Sequence, residues 1–214
     1  MIVVGVDLAG PTRPEHTGLA VARGDAEHME LERLEIGAHD EAIHQAVRAA
    51  AARDDEVVVG LDAPLSVNAT GGDRPADRRL RHVVMEAGLP SGTVMAPTMT
   101  RMAYLTLRGV LVARLVAPLG ARVVEVHPSA TLVLRGAPVA DVRALKRSSA
   151  ARARLLAFLE GRGLAGASAH AAREVTDHEV AACAAALGAH RWAHHRSVWL
   201  EAARPPHHPY DFAC

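Results

Sequence analysis

The sequence predicts an α/β domain with a mixed β-sheet at its centre and helices on both faces. Three apolar runs, at 2–8, 56–62 and 121–126, have the length and composition of buried strands. Between the first two runs, two further strand patterns follow each other across a tight turn, which departs from strict βαβ alternation. We therefore expect five strands: a three-strand antiparallel meander and further strands that run parallel to its first strand.

The first half of the chain supplies four of these strands. After the strand at 2–8, segments 17–22 and 29–36 predict two strands joined at Gly24-Asp25 as a hairpin. The second of them alternates polar and apolar residues, so one of its faces should contact water. Segment 40–53 predicts a helix. The Val-rich run at 56–62 then predicts a strand that is buried on both faces.

The second half is mainly helical. Helices are expected at 73–87 and 98–119, which together form a helical insertion at 73–119 before the strand at 121–126. Ser129 is expected to cap a short helix that ends near residue 134. Further patterns predict helices at 150–161 and 176–190 and a last short strand at 197–200.

Length and composition indicate one globular domain. The chain has 214 residues, of which 50% are hydrophobic and 3% aromatic, so Val, Leu and Ala must form the core and a disordered chain is excluded. We expect the domain to span 1–203. The proline-rich segment 204–214 should form a flexible tail.

No transmembrane run or signal peptide is recognised in the sequence, so a cytoplasmic protein without a membrane partner is expected. The two cysteines, Cys183 and Cys214, are expected to be a buried thiol and a tail thiol rather than a disulfide. The apolar helix at 98–119 either packs on the sheet or forms the face of a homodimer.

Charge is unevenly distributed although the formal net charge is zero. Residues 1–72 are net acidic, whereas residues 73–154 are strongly basic. Such a segment either faces a polyanion or consists of solvated helices whose arginines pair with acids elsewhere. Lys146 is the single lysine of the chain.

Carboxylates stand where three predicted strands end: Asp7, Asp62 and Glu125. In open α/β sheets, ligands bind at the carboxyl ends of the strands. Acids gathered there need a cation or a shared proton, because like charges at close range do not all stay ionised. The alternative is that each acid accepts backbone N–H bonds at a strand end.

A set of short segments then points to a family. In chain order the sequence contains GVDLAG, GLDAPLS, RPADRRLR, TLRG, EVHPSAT and TDHE. This set, spanning roughly residues 2–190, resembles domain-of-unknown-function family 429, which is described as predicted nucleases with an RNase H-like fold. The resemblance implies phosphodiester hydrolysis of nucleic acid and leaves the substrate unspecified.

In an RNase H-like fold the first and fourth strands are neighbours, so Asp7 and Asp62 would lie within reach of one cation, with Glu125 as a third ligand. Carboxylate oxygens suit Mg²⁺ or Mn²⁺. The resemblance implies a fourth acid on the C-terminal helix, where Asp177 is the candidate. The next turn of that helix carries no carboxylate, and Glu179 forms a capping box with Thr176.

Other side chains are candidates for the general base or for substrate contact: His127, His178, Lys146, Arg108 and Arg81. A histidine beside the acids could hold an attacking water, and a basic side chain could contact a phosphate. The alternatives are structural histidines and surface ion pairs.

Two competing functions remain open at the level of sequence. A chain lacking a second helix acid could be a catalytically weak or inactive binding or scaffold protein that keeps the fold. The glycine-flanked Asp7 is also compatible with an actin-like nucleotide-binding phosphotransferase, although the chain lacks a second glycine-rich adenosine segment.

Overall fold

A computed structural model describes residues 1–10, 13–54 and 56–214. Its strands are β1 Ile2–Asp7, β2 Gly18–Gly24, β3 Met29–Ile36, β4 Val57–Asp62, β5 Arg122–Val126, β6 Leu164–Ala165, β7 Leu200–Glu201 and β8 Phe212–Ala213. Its helices are α1 Asp40–Ala51, α2 Pro75–Glu86, α3 Thr100–Val116, α4 Pro128–Leu134, α5 Val139–Ala144, α6 Ser149–Gly161 and α7 Asp177–Ala193.

All strands join one mixed sheet in the order β6-β3-β2-β1-β4-β5-β8-β7. β1, β2 and β3 form an antiparallel meander, and β4 and β5 run parallel to β1. The predicted mixed α/β sheet is therefore confirmed. The predicted count of five strands was wrong, because β6, β7 and β8, of two residues each, extend the sheet. The last short strand expected at 197–200 overlaps β7 at Leu200 alone, and β6 and β8 are too short to show a periodicity in sequence.

Helix α7 covers one face of the sheet at very short range. A Cβ on Gly5 of β1 would lie 2.2 Å from the Ala182 oxygen, and one on Gly60 of β4 would lie 2.7 Å from the Ala185 oxygen. The small residues of α7 and the two glycines thus allow the backbone of α7 to contact the backbones of β1 and β4. This contact places the first turn of α7 beside the ends of β1 and β4.

Helices α1 and α3 cover the other face of the sheet. Val4, Val59 and Leu61 face that side and share one buried cluster with Val47 of α1 and Val112 of α3. In chain order, helices α2 and α3 follow β4 and precede β5, within the segment 73–119 that was predicted to be helical.

The segment Thr100–Leu119 is long and apolar enough to cross a membrane by length and composition, which the sequence analysis did not recognise. Helices buried in the core of a domain can have the same length and composition. Val112, Ala113 and Val116 of α3 are buried against the sheet, whereas Tyr104 and Leu107 are exposed. The first alternative, packing on the sheet, therefore holds for one face of the helix, and the homodimer stays a prediction.

Residues 204–214 are not a flexible tail. β8 lies between β5 and β7, and Phe212, Ala213 and Cys214 are buried. The prediction was wrong because the apolar end of the segment pairs with β5, a long-range contact that local composition does not reveal. Cys183 and Cys214 are both buried free thiols.

Candidate functional site

Asp7 and Asp62 are brought together as the final residues of two adjacent parallel strands. They are register partners in the β1–β4 pair, so their side chains leave the sheet on the same face. Gly5 and Gly60, two residues earlier on each strand, contact α7. The two carboxyl groups therefore point toward the start of that helix.

Burial raises the pKa of both carboxyl groups of the acid pair. Burial raises the pKa of Asp7 to about 7, opposed by a hydrogen bond with Asp62 and reinforced by the charge of Asp177. Burial, followed by the charge of Asp7, raises the pKa of Asp62 well above its usual range. The raised pKa values mean that the pair holds protons more tightly than isolated carboxyl groups do, and a cation could take their place.

The first turn of α7 completes this side of the site. Thr176 caps the helix and forms the predicted capping box with Glu179. Asp177 begins the helix, and His178 places its Nδ1 2.6 Å from Oδ2 of Asp7. The capping box thus holds His178 against the acid pair.

His16 is a neighbour that the sequence analysis missed. Its ring lies 5.4 Å from the ring of His178. It belongs to a short 3₁₀ turn between β1 and β2, and no spacing in the sequence relates it to a residue so far along the chain.

Glu125 does not present a free carboxylate beside Asp62. It is the register partner of Leu61, one residue before the level of Asp62, and therefore points to the other face of the sheet. Its oxygens accept hydrogen bonds from Arg74, at 2.5 and 2.8 Å, and from the Leu65 N–H. The Glu125 carboxylate, which was predicted to bind a metal, is therefore already bound by the Arg74 guanidinium and by one backbone N–H.

His127 and Lys146 both line the cavity above the acid pair. The His127 Nδ1 accepts from Ala130 N and its Nε2 lies 3.0 Å from the Thr93 oxygen. His127, not Ser129, is thus the N-cap of α4, and both its ring nitrogens are engaged. Lys146 is exposed, and its charge lowers the pKa of Asp7 as a minor contribution.

Arg108 and Arg81 lie outside this cavity. The Arg108 guanidinium is buried and binds Asp40, the Ala9 oxygen and the Thr17 hydroxyl. Arg81 forms an ion pair with Asp73 and also binds the Val94 oxygen. The structure thus does not bring either guanidinium into the cavity of the acid pair, and a contact of Arg108 or Arg81 with substrate stays a prediction.

The cavity has a volume of about 260 Å³ and opens at the carboxyl ends of β1, β4 and β5. Within residues 1–10, 13–54 and 56–214, no group of three or more His, Cys, Asp or Glu side chains is arranged to hold a metal ion. Of the predicted site residues, it is lined by Asp7, Asp62, Glu125, His127, Lys146, Asp177 and His178.

Arg74 is a buried charged residue that lines the cavity, and sequence reasoning gave it no role. It forms ion pairs with Asp77 and Glu125, and all three side chains are almost fully buried. The spacing of Arg74 and Asp77, three residues apart at a helix start, was the available signal. Ion pairs to acids also engage other arginines of the basic segment: Arg79, Arg81, Arg108, Arg122 and Arg154.

The comparisons with known proteins give a family and a distant structural neighbour. The family model described as protein of unknown function (DUF429) matches residues 5–114 and 110–209. No curated protein matches the chain. Among solved structures, the chain is similar to T. thermophilus RuvC in complex with Holliday junction substrate, at 18% identity and a TM-score of 0.42, over 92% of this chain and 97% of that one.

Proposed function

We propose that this chain, which belongs to the DUF429 family of proteins of unknown function, is a nuclease that uses Mg²⁺ or Mn²⁺ to hydrolyse phosphodiester bonds. The observation that carries the proposal is the Asp7–Asp62 pair at the ends of adjacent parallel strands. The strand order β3-β2-β1-β4-β5 at the centre of the sheet is the order of an RNase H-like fold, which supports the same reading.

Two carboxylates suit a hard divalent cation. Asp7 and Asp62 offer their oxygens on one face of the sheet, and Asp177 at the start of α7 lines the same cavity without completing a three-ligand group among the described residues. Their mutual repulsion would be relieved by a positive ion. Such an ion, when bound, activates water and stabilises the leaving oxygen of a phosphodiester.

His178 is the residue we assign to proton handling. With a proton on Nδ1 donated to Asp7, its Nε2 is an acceptor that can take a proton from an attacking water. The hydrogen bond also fixes the orientation of the Asp7 carboxylate, as carboxylate–histidine pairs do at metal sites.

Lys146 is the basic side chain we assign to substrate. It is exposed at the cavity and belongs to none of the ion pairs that the described residues form. A compact ammonium there attracts a phosphate group without a fixed binding geometry.

A catalytically inactive binding protein is the second candidate. Two observations favour it: Arg74 neutralises Glu125, and no group of three ligands is arranged for a metal among the described residues. In that case Asp7 and Asp62 would hold a shared proton instead of an ion.

Cleavage of labelled single-stranded, duplex and branched DNA and RNA in Mn²⁺ tests the proposal. Asp7→Asn and Asp62→Asn should each lower the cleavage rate at least about a hundredfold, whereas Asp25→Asn, in the exposed β2–β3 turn, should match the wild type. Electron paramagnetic resonance measures Mn²⁺ binding, and the affinity should be lower in Asp7→Asn and Asp62→Asn than in the wild type. Equal rates in all four proteins would overturn the nuclease, and a wild type that neither cleaves nor binds Mn²⁺ would support the binding protein.

A further inference from the structure

We propose that the chain has a second, unassigned site in which arginines bind a phosphate dianion. The site is an open cavity of about 400 Å³, here called the arginine cavity. It is lined by Arg135, Arg162, Arg191, Arg196, Leu134 and Val198.

The arginine cavity is separate from the acid pair. Asp177 lies in the first turn of α7 and Arg191 in the last, so about 20 Å of helix lies between them at 1.5 Å per residue. Likewise, α4 begins beside the acid cavity and ends just before Arg135. A ligand of one cavity does not contact the other.

The cavity holds more positive charge than the Asp and Glu side chains of the described residues neutralise. Arg196 pairs with Glu27, whereas Arg135, Arg162 and Arg191 form no ion pair with an Asp or Glu side chain among those residues. Arg191 donates to the main-chain oxygens of Ala26, Glu27 and Arg162. Arg135 donates to the main-chain oxygens of Arg196 and Cys214. Its Nε atom is buried and has no hydrogen-bond partner within the described part of the chain.

The guanidinium groups destabilise one another. Burial, together with the charges of Arg191 and Arg162, lowers the pKa of Arg135 to about 10. Burial and the charge of Arg196 likewise lower the pKa of Arg191. A bound anion reverses this repulsion, which is why such a cluster favours an anionic ligand.

Two glycines, Gly136 and Gly163, lie next to the guanidinium groups of Arg162 and Arg191. A Cβ on Gly136 would lie 3.3 Å from the Arg162 Nη2, and one on Gly163 would lie 2.9 Å from the Arg191 Nη2. Both glycines have a positive φ, of 92° and 100°, a conformation that other residues rarely adopt. Glycine at these two positions therefore leaves room for the arginines beside the loops after α4 and α6.

A phosphate dianion matches this arrangement better than a carboxylate. Guanidinium forks bind phosphate oxygens in bidentate pairs, and a tetrahedral dianion offers acceptors to several arginines at once. A carboxylate brings one negative charge and two oxygens, which a single arginine satisfies. Because the cavity is open, either inorganic phosphate or a small phosphomonoester can enter.

Isothermal titration calorimetry of the full chain at constant ionic strength tests the proposal, with inorganic phosphate as the probe and a nucleoside 5′-monophosphate in a second arm. Arg191→Gln and Arg162→Gln should each weaken phosphate binding about tenfold, equivalent to one lost charge-assisted hydrogen bond. Arg162 is exposed, so its variant should fold even if Arg191→Gln does not. Arg48→Gln, an exposed residue on α1, is the matched control.

Asp7→Asn should bind phosphate as the wild type does, because it changes only the acid pair. The two arms identify the source: tighter binding of inorganic phosphate indicates the free ion, and tighter binding of the monophosphate indicates an ester. No saturable heat with either probe, equal binding by wild type and Arg162→Gln, or loss of binding in Asp7→Asn would each overturn the proposal.

Discussion

Asp7 links the chemistry of the acid pair to the stability of the whole chain. Burial raises its pKa from 3.8 to about 7. Between these values the folded state keeps a proton that the unfolded state releases, so stability falls as pH rises through this interval. The acid pair therefore destabilises the metal-free protein at neutral and alkaline pH.

Replacement of Asp7 by Asn should stabilise the metal-free protein at pH 8, because Asn carries no charge to bury and can still accept the bond from His178. A gain on the order of 2 kcal/mol is expected, or roughly 4–8 °C in Tm for a chain of this size. The gain should disappear at pH 4, where Asp7 is protonated in the folded state. Scanning calorimetry at both pH values measures it.

Asp25→Asn is the control for this prediction. Its carboxylate accepts backbone bonds from Glu27 and His28 in an exposed turn, which lower its pKa. That variant should show no stabilisation at pH 8. A Tm of Asp7→Asn equal to that of the wild type at both pH values would contradict the cost of ionising a buried Asp7 carboxyl group.

Among the elements, α7 does most to position the site. Its alanines pack on glycines of β1 and β4, and its first turn carries Asp177 and His178. Its N-cap and capping box were predictable, because Thr176 and Glu179 have a local, specific spacing. Its close contact with the sheet was not, since the glycines that permit it lie on distant strands.

Gly5→Ala should therefore disturb both stability and site. The added Cβ would lie 2.2 Å from the Ala182 oxygen and 2.4 Å from the Ala186 nitrogen, and backbone atoms cannot yield as a flexible side chain does. A loss of about 3 kcal/mol in the free energy of unfolding is expected, at the upper end for overpacking. Urea unfolding measures this loss.

Gly10→Ala is the matched control, because a Cβ there meets no atom within 4 Å. It should change the free energy of unfolding by less than about 1 kcal/mol. If Gly5→Ala and Gly10→Ala unfold at the same urea concentration, the close packing of α7 on β1 is wrong.

At the scale of the whole molecule, the central strands and the Asp7–Asp62 pair could be predicted, because buried valine runs and strand-end acids are local signals. The place of Glu125 could not. Whether it points toward Asp62 depends on the register between β4 and β5, and a shift of one residue reverses the face. Nor could sequence periodicity reveal that Arg74, a whole segment away, neutralises it.

The C-terminal segment shows the same dependence on long-range contacts. Phe212 of β8 is the register partner of Glu125, and its ring lies 5.1 Å from Trp199 and 5.4 Å from the Arg74 guanidinium. The last strand thus supports the buried Arg74–Glu125 pair from one side. A chain with a flexible tail would lack this support.

Phe212→Ala distinguishes the two cases. Removing the buried ring leaves a cavity beside Trp199 and Arg74, so the free energy of unfolding should fall by about 3–5 kcal/mol, as for other buried Phe to Ala changes. His207→Ala, an exposed residue of the same segment, should change it by no more than about 0.5 kcal/mol. Urea unfolding, monitored by tryptophan fluorescence, measures the free energy of unfolding of both variants. Trp199 is a suitable probe because it packs on the Phe212 ring. Equal stability of the two variants would mean that β8 does not join the sheet, and that the Arg74–Glu125 pair forms without it.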